Sequence, residues 1–108
     1  MYLKFLPTDF EPEDSKQHLE IHLCRNPGAL ESWLESEGWD GTLTDAEQVS
    51  KQAVLERLHA FLALPRYAPT FDLSWVQRGW KLNDDWDDAV FVGEGEGLWL
   101  AVHWFTTT

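Results

Sequence analysis

The sequence predicts an α+β fold: a mostly antiparallel sheet of about five strands packed against two helices, in the order β-β-α-α-β-β-β. Three observations lead there. Short runs towards both ends alternate apolar and polar residues with the period of two that half-buried strands show. The middle of the chain instead carries apolar residues at helical spacing, bounded by capping and stop residues. No repeat, linker or apolar run of membrane-spanning length interrupts this pattern, so the 108 residues read as a single compact domain, 1–108.

"YLKFL" (2–6) is the expected first strand, and "PTDFEPEDSKQ" (7–17) a polar loop. "HLEIHLC" (18–24) alternates, turning Leu19, Ile21 and Leu23 to one side. Asn26 then suits a helix cap and Pro27 a first helical position; Leu30, Trp33 and Leu34 share a face, and Gly38 ends the element. In "TDAE" (44–47), Thr44 and Glu47 have the spacing of a capping box for a second helix. Its apolar stripe is Val54, Leu55, Leu58, Phe61 and Leu62, and Pro65 stops it.

"TFDLSWV" (70–76) alternates again and predicts a strand with Phe71, Leu73 and Trp75 on one face. "AVFV" (89–92) and "LWLAVHWF" (98–105) flank "GEGEG" (93–97), which reads as a hairpin loop of moderate length. In the last run Trp99, His103 and Phe105 lie on one side, with Leu98, Leu100, Val102 and Trp104 on the other. Two bulky faces predict a central strand buried on both sides, the alternative being an aromatic face, with Trp99 on it, exposed as a contact patch. "TTT" is the expected frayed end.

Charge narrows the function. Nineteen acids against eight bases give a net charge of -11, placed unevenly: -6 in residues 1–41, zero in 42–66 and -5 in 67–108. Such a surface repels phosphate backbones and anionic lipid, so neither nucleic acid nor membrane is an expected direct partner. A basic protein is. The single cysteine, Cys24, supplies no internal disulfide and fits a cytoplasmic setting, and "MYLKFLP" (1–7) lacks the apolar core of a signal peptide.

The densest acid lies in "WKLNDDWDDAVFVGEGEG" (80–97). Asp84, Asp85, Asp87 and Asp88 bracket Trp86, and Glu94 and Glu96 follow. Adjacent carboxylates repel one another unless cations or solvent relieve them, and tryptophan is enriched at binding hot spots. These six acids are therefore the expected partner-binding charges, with Trp86 and Trp80 as anchors; Glu31, Glu35 and Glu37 form a second acidic group. The expected function is that of a small acidic binding protein, of the immunity-protein or phage-encoded-inhibitor kind. Its carboxylates would imitate the phosphate array gripped by a nuclease toxin or another nucleic-acid-binding enzyme, with no cofactor and no turnover.

Other readings compete. His18, Glu20, His22 and Cys24 stand on one face of "HLEIHLC", a metal-competent set to which His103 is the natural addition. Asn83, Asp85, Asp87 and Glu94 match four calcium-ligand places of an EF-hand loop, but Asp88 occupies the place that needs glycine. The aromatic surplus also suits a structural subunit that forms a homodimer. Catalysis is not expected: neighbouring aspartates lack the separation of an acid–base pair, Cys24 has no marked histidine partner, and "GEGEG" would repel phosphate.

Overall fold

The computed structural model describes residues 1–12, 16–39, 43, 46–67 and 70–107. Among the described residues the fold comprises six strands and two α-helices, besides a short 3-10 helix (Pro7–Asp9): β1 (Tyr2–Phe5), β2 (Lys16–Cys24), α1 (Pro27–Ser36), β3 (Glu47–Val49), α2 (Lys51–Leu62), β4 (Arg78–Asp84), β5 (Asp88–Gly95) and β6 (Leu98–Thr107). The strands form one antiparallel sheet in the order β1-β2-β6-β5-β4-β3. The α+β class is thus as the sequence predicts, and the element order is close to it, with one further short strand, β3, inserted between the two helices. Among the described residues no helix is long and apolar enough to cross a membrane.

Each face of the sheet has its own core. Against α2 lie Leu19, Ile21, Ala89, Phe91, Leu100 and Val102, meeting Val54, Leu58, Phe61 and Leu62 of the helix. Against α1 lie Val90, Val92 and Ala101, meeting Leu30 and Leu34, with Trp33, Trp39, Trp80 and Trp99 packed around them. Alternation along β2, β5 and β6 sends successive residues to opposite cores. A sheet covered on both sides explains why β6 is bulky on both sides.

The first helix forms as its sequence dictates. Asn26 Oδ1 accepts a hydrogen bond from the Gly28 amide at 2.8 Å, Pro27 opens the helix, and Gly38 follows it with φ of 90°. The start of α2 differs from expectation. Its cap is Ser50, whose Oγ accepts from the Ala53 amide at 3.1 Å, and Glu47 belongs to β3, where it pairs with Lys81. Thr44 lies outside the described residues. A serine immediately before the apolar stripe displaced the capping-box reading, because the short β3 takes Glu47–Val49 into the sheet.

The segment 70–76 is a turn, not a strand. Asp72 Oδ1 accepts from the Ser74 amide at 3.0 Å, Trp75 Nε1 donates to the Asp72 carbonyl at 2.7 Å, and Val76 N donates to the Leu73 carbonyl. An aspartate that bonds its own backbone two residues on competes with a strand ladder, and here it wins. The strand sits further on, as β4, where Gly79 leaves room for α2: a Cβ there would lie 2.3 Å from that of Val54. The glycine-rich stretch also departs from a loop. Gly93 and Gly95 lie within β5, and only Glu96 and Gly97 turn the chain, both with positive φ (52° and 77°), as a tight primed hairpin requires. At the C-terminus, Thr106 and Thr107 continue β6 opposite Gln17 and Lys16 rather than fraying.

Candidate functional site

The β4–β5 hairpin carries the aspartate-rich stretch. Asp85 N donates to the Asp88 carbonyl at 2.9 Å, Asn83 Nδ2 donates to the same oxygen at 2.7 Å, and Thr106 N donates to the Asp87 carbonyl at 2.9 Å. These bonds fix a four-residue turn with Trp86 at its crest. Trp86 is 83% exposed, so the indole is held out into solvent by a braced backbone rather than packed into a core.

The acids predicted as one binding set are not brought together in one place, and several have partners within the fold. Asp84 is bound to Arg57 Nη2 at 2.6 Å, Asp88 receives His103 Nε2 at 2.8 Å, and Glu94 receives Arg78 Nε at 2.7 Å. Half the predicted acids are thus engaged within the fold, Asp84 and Glu94 by arginines and Asp88 by a hydrogen bond to His103. Asp85 and Asp87 make no side-chain ion pair among the described residues and flank Trp86 directly. Glu96 is exposed but sits on the β5–β6 turn, at the opposite end of β5, roughly 23 Å from the aspartates for seven residues of strand. Trp80 is half-buried, stacked on Trp99 with ring centroids 5.5 Å apart, and the Arg78 guanidinium carbon lies 5.5 Å from its ring centroid. It is a packing residue. What remains of the predicted site is Asp85, Trp86 and Asp87. No helix flanks this turn, so the EF-hand spacing of Asn83, Asp85, Asp87 and Glu94 has no EF-hand around it.

A second cluster forms on the α1 face of the sheet. Register places Lys4, Glu20, His103 and Val90 in one cross-strand row over β1, β2, β6 and β5. Glu37, just past the last turn of α1, comes over this row, and one ligand atom from each of Glu20, Glu37 and His103 lies within 4.8 Å of the others. The Glu20 and His103 side chains are only 6% and 8% exposed. Glu20 Oε1 faces Lys4 Nζ at 3.6 Å, while Oε2 points towards His103 Nδ1 at 3.9 Å, too long for a hydrogen bond; among the described residues Oε2 and Nδ1 have no hydrogen-bond partner. Trp39 lies edge-on to the His103 ring, 5.8 Å between centroids, and shields the row.

The electrostatics of the pair divide cleanly. Burial, together with the facing Glu20 carboxylate, pushes Glu37 up to about 7. Burial acts on Glu20 in the same direction, but the Glu37 carboxyl, the Tyr2 hydroxyl, Lys4 and His103 outweigh it and hold Glu20 below its ordinary value. Tyr2 pays the reverse effect, with burial and Glu20 raising it to about 12.

The predicted His18–Glu20–His22 metal set does not converge. Alternate residues of a strand are roughly 7 Å apart, so the two histidines are separated by about 13 Å along β2. His18 stacks on Phe105 at 4.6 Å and His22 on Trp33 at 5.4 Å, each filling its own place on the face. Glu20 and His103 do meet; Glu37, counted in the sequence only as acidic surface, completes the group.

No family model, curated protein or solved structure matches this chain.

Proposed function

We propose that this is a small acidic binding protein that blocks a basic partner protein, gripping it with the tip of the β4–β5 hairpin and performing no catalysis. The observation that carries this reading is Trp86, 83% exposed on a hydrogen-bonded turn between the unpaired Asp85 and Asp87. An indole costs solvation when left in water, and a rigid turn loses little entropy when it docks. Carboxylates on either side steer towards positive charge and discourage acidic competitors. The remaining acidic surface, at net -11, adds long-range attraction. A basic cleft shaped for phosphates, as in a nuclease toxin or a nucleic-acid-binding defence enzyme, fits this combination, and the setting is a cytoplasm where such a partner must be silenced.

Capture from the native cell tests the reading. Wild-type protein as bait retains a basic protein that Trp86→Ala releases, while both baits melt at nearly the same temperature. Retention of the same protein by both baits would place the contact elsewhere on the molecule.

A further inference from the structure

We propose that Glu20, Glu37 and His103 form a binding site for one divalent transition-metal ion, with zinc the best match. The site adjoins the hairpin through Asp88, but its existence does not depend on what Trp86 binds.

Three features of the fold converge on a cation. The first is the pair of orphaned atoms. Lys4 Nζ stands 3.6 Å from Glu20 Oε1, while Oε2 turns inward at 3.9 Å from His103 Nδ1, with both side chains more than nine-tenths buried and neither Oε2 nor Nδ1 hydrogen-bonded among the described residues. At 3.9 Å even a protonated Nδ1 does not reach Oε2, so no proton on the ring closes this gap. Two donors on one zinc ion, at ordinary bond lengths and a tetrahedral angle, stand about 3.4 Å apart, so a shift of about half an ångström brings this pair onto a shared ion.

The second feature is the orientation of the imidazole. Asp88 Oδ1 lies 2.8 Å from His103 Nε2, and a carboxylate only accepts, so Nε2 carries the hydrogen and donates it. In the neutral ring this leaves the lone pair on Nδ1, aimed at Glu20 and Glu37. A carboxylate that orients a histidine from behind is the usual outer support of a metal-bound imidazole. Asp88 is therefore a positioning residue here, reached diagonally across the β5–β6 ladder from the place opposite Phe105.

The third feature is charge and donor type. Two carboxylates and one imidazole with all ligand atoms within 4.8 Å suit zinc, which takes nitrogen and oxygen donors together. Calcium wants about six to eight oxygens, and this group offers too few. Among the described residues the group supplies three donors, and its half-exposed member, Glu37, marks the side open to a fourth ligand from solvent.

The full chain, stripped with chelator and titrated with zinc sulfate, tests the proposal by calorimetry and native mass spectrometry. The expected result is a single zinc per chain and a melting temperature that climbs with zinc concentration. Glu37→Gln removes a ligand and weakens zinc binding by at least about tenfold, and Asp88→Asn, which touches no metal, weakens it by about 10- to 100-fold. His22→Gln leaves the affinity unchanged, which separates this site from a β2 histidine pair. Should either weakened variant fail to fold by near-ultraviolet circular dichroism, the other carries the comparison. Absence of saturable zinc binding by the wild type, or equal binding by every folded variant, or tighter binding of calcium than of zinc, would overturn it.

Discussion

Glu20 and His103 stand directly opposite each other on β2 and β6, the two most central partners of the cluster, with Glu20 Oε2 facing His103 Nδ1 at 3.9 Å. Registry alone creates this pair: a slip of one residue between the two strands would put Glu20 against an apolar neighbour and send His103 to the α2 core. The row is therefore as well determined as the sheet.

That geometry sets a pH dependence for the metal-free protein. Glu37 is raised to about 7 in the fold, against an ordinary carboxylate value when unfolded, so the native state holds the extra proton between roughly pH 4.5 and 7. Stability linked to Glu37 is fully present below that window and is lost as pH rises through 7. In chelator-treated protein, Glu37→Gln should flatten this decline and melt higher than wild type at pH 8, by roughly 1 kcal/mol or less once solvent screening at the half-exposed Glu37 is allowed for. Thermal melts across that range, with Glu20, Tyr2, Lys4 and His103 left intact, measure it. Parallel curves for the two proteins would show that Glu37 is not held protonated.

Gly79 is predicted to tolerate no side chain. A Cβ there would lie 2.3 Å from the Val54 Cβ, so Gly79→Ala forces α2 away from β4 and should cost about 1–3 kcal/mol. Combining it with Val54→Ala should recover part of that loss, a coupling that denaturant unfolding of the two single variants and the double variant reads directly.

Glu96 occupies the left-handed region at φ of 52°, ahead of Gly97. Asparagine adopts that region with less strain, and Asn-Gly is the preferred pair of such a hairpin. Glu96→Asn should stabilise the protein by about 0.5–1 kcal/mol, seen as a rise of a few degrees in melting temperature. In the same assay Ser50→Ala should cost about 1 kcal/mol by removing the cap of α2.

Several elements were legible in the sequence because their signals are local. Asn26, Pro27 and Gly38 bound α1 as read, and the two-sided bulk of residues 98–105 identified a central strand. The errors have physical causes too. The alternation in "TFDLSWV" is real, but Asp72 closes a turn on Ser74 and leaves Leu73 and Val76 at a spacing of three to reach the core. Strand β4 was hidden by Gly79 and its charged neighbours, whose fitness for the sheet depends on α2 packing and on Glu47 and Glu94 across the ladder.

The candidate sites divide in the same way. The acids around Trp86 are plain in the sequence, but whether the indole plugs the core or faces solvent is decided by the turn that Asp85 and Asp88 close. That Asp84, Asp88 and Glu94 are occupied by Arg57, His103 and Arg78 is not legible there either, because those partners lie 27, 15 and 16 residues away. Glu37 was legible only as acidic surface: it meets Glu20 because α1 returns over the sheet.

The most direct test concerns the crest of the hairpin. Association of the protein with its captured basic partner should slow steeply as ionic strength rises from about 0.1 to about 1 M, where the screening length falls from about 10 Å to about 3 Å. The double variant Asp85→Lys, Asp87→Lys should bind at least tenfold more weakly while melting as the wild type does. Undiminished binding by this variant would contradict the assignment of the hairpin as the binding surface.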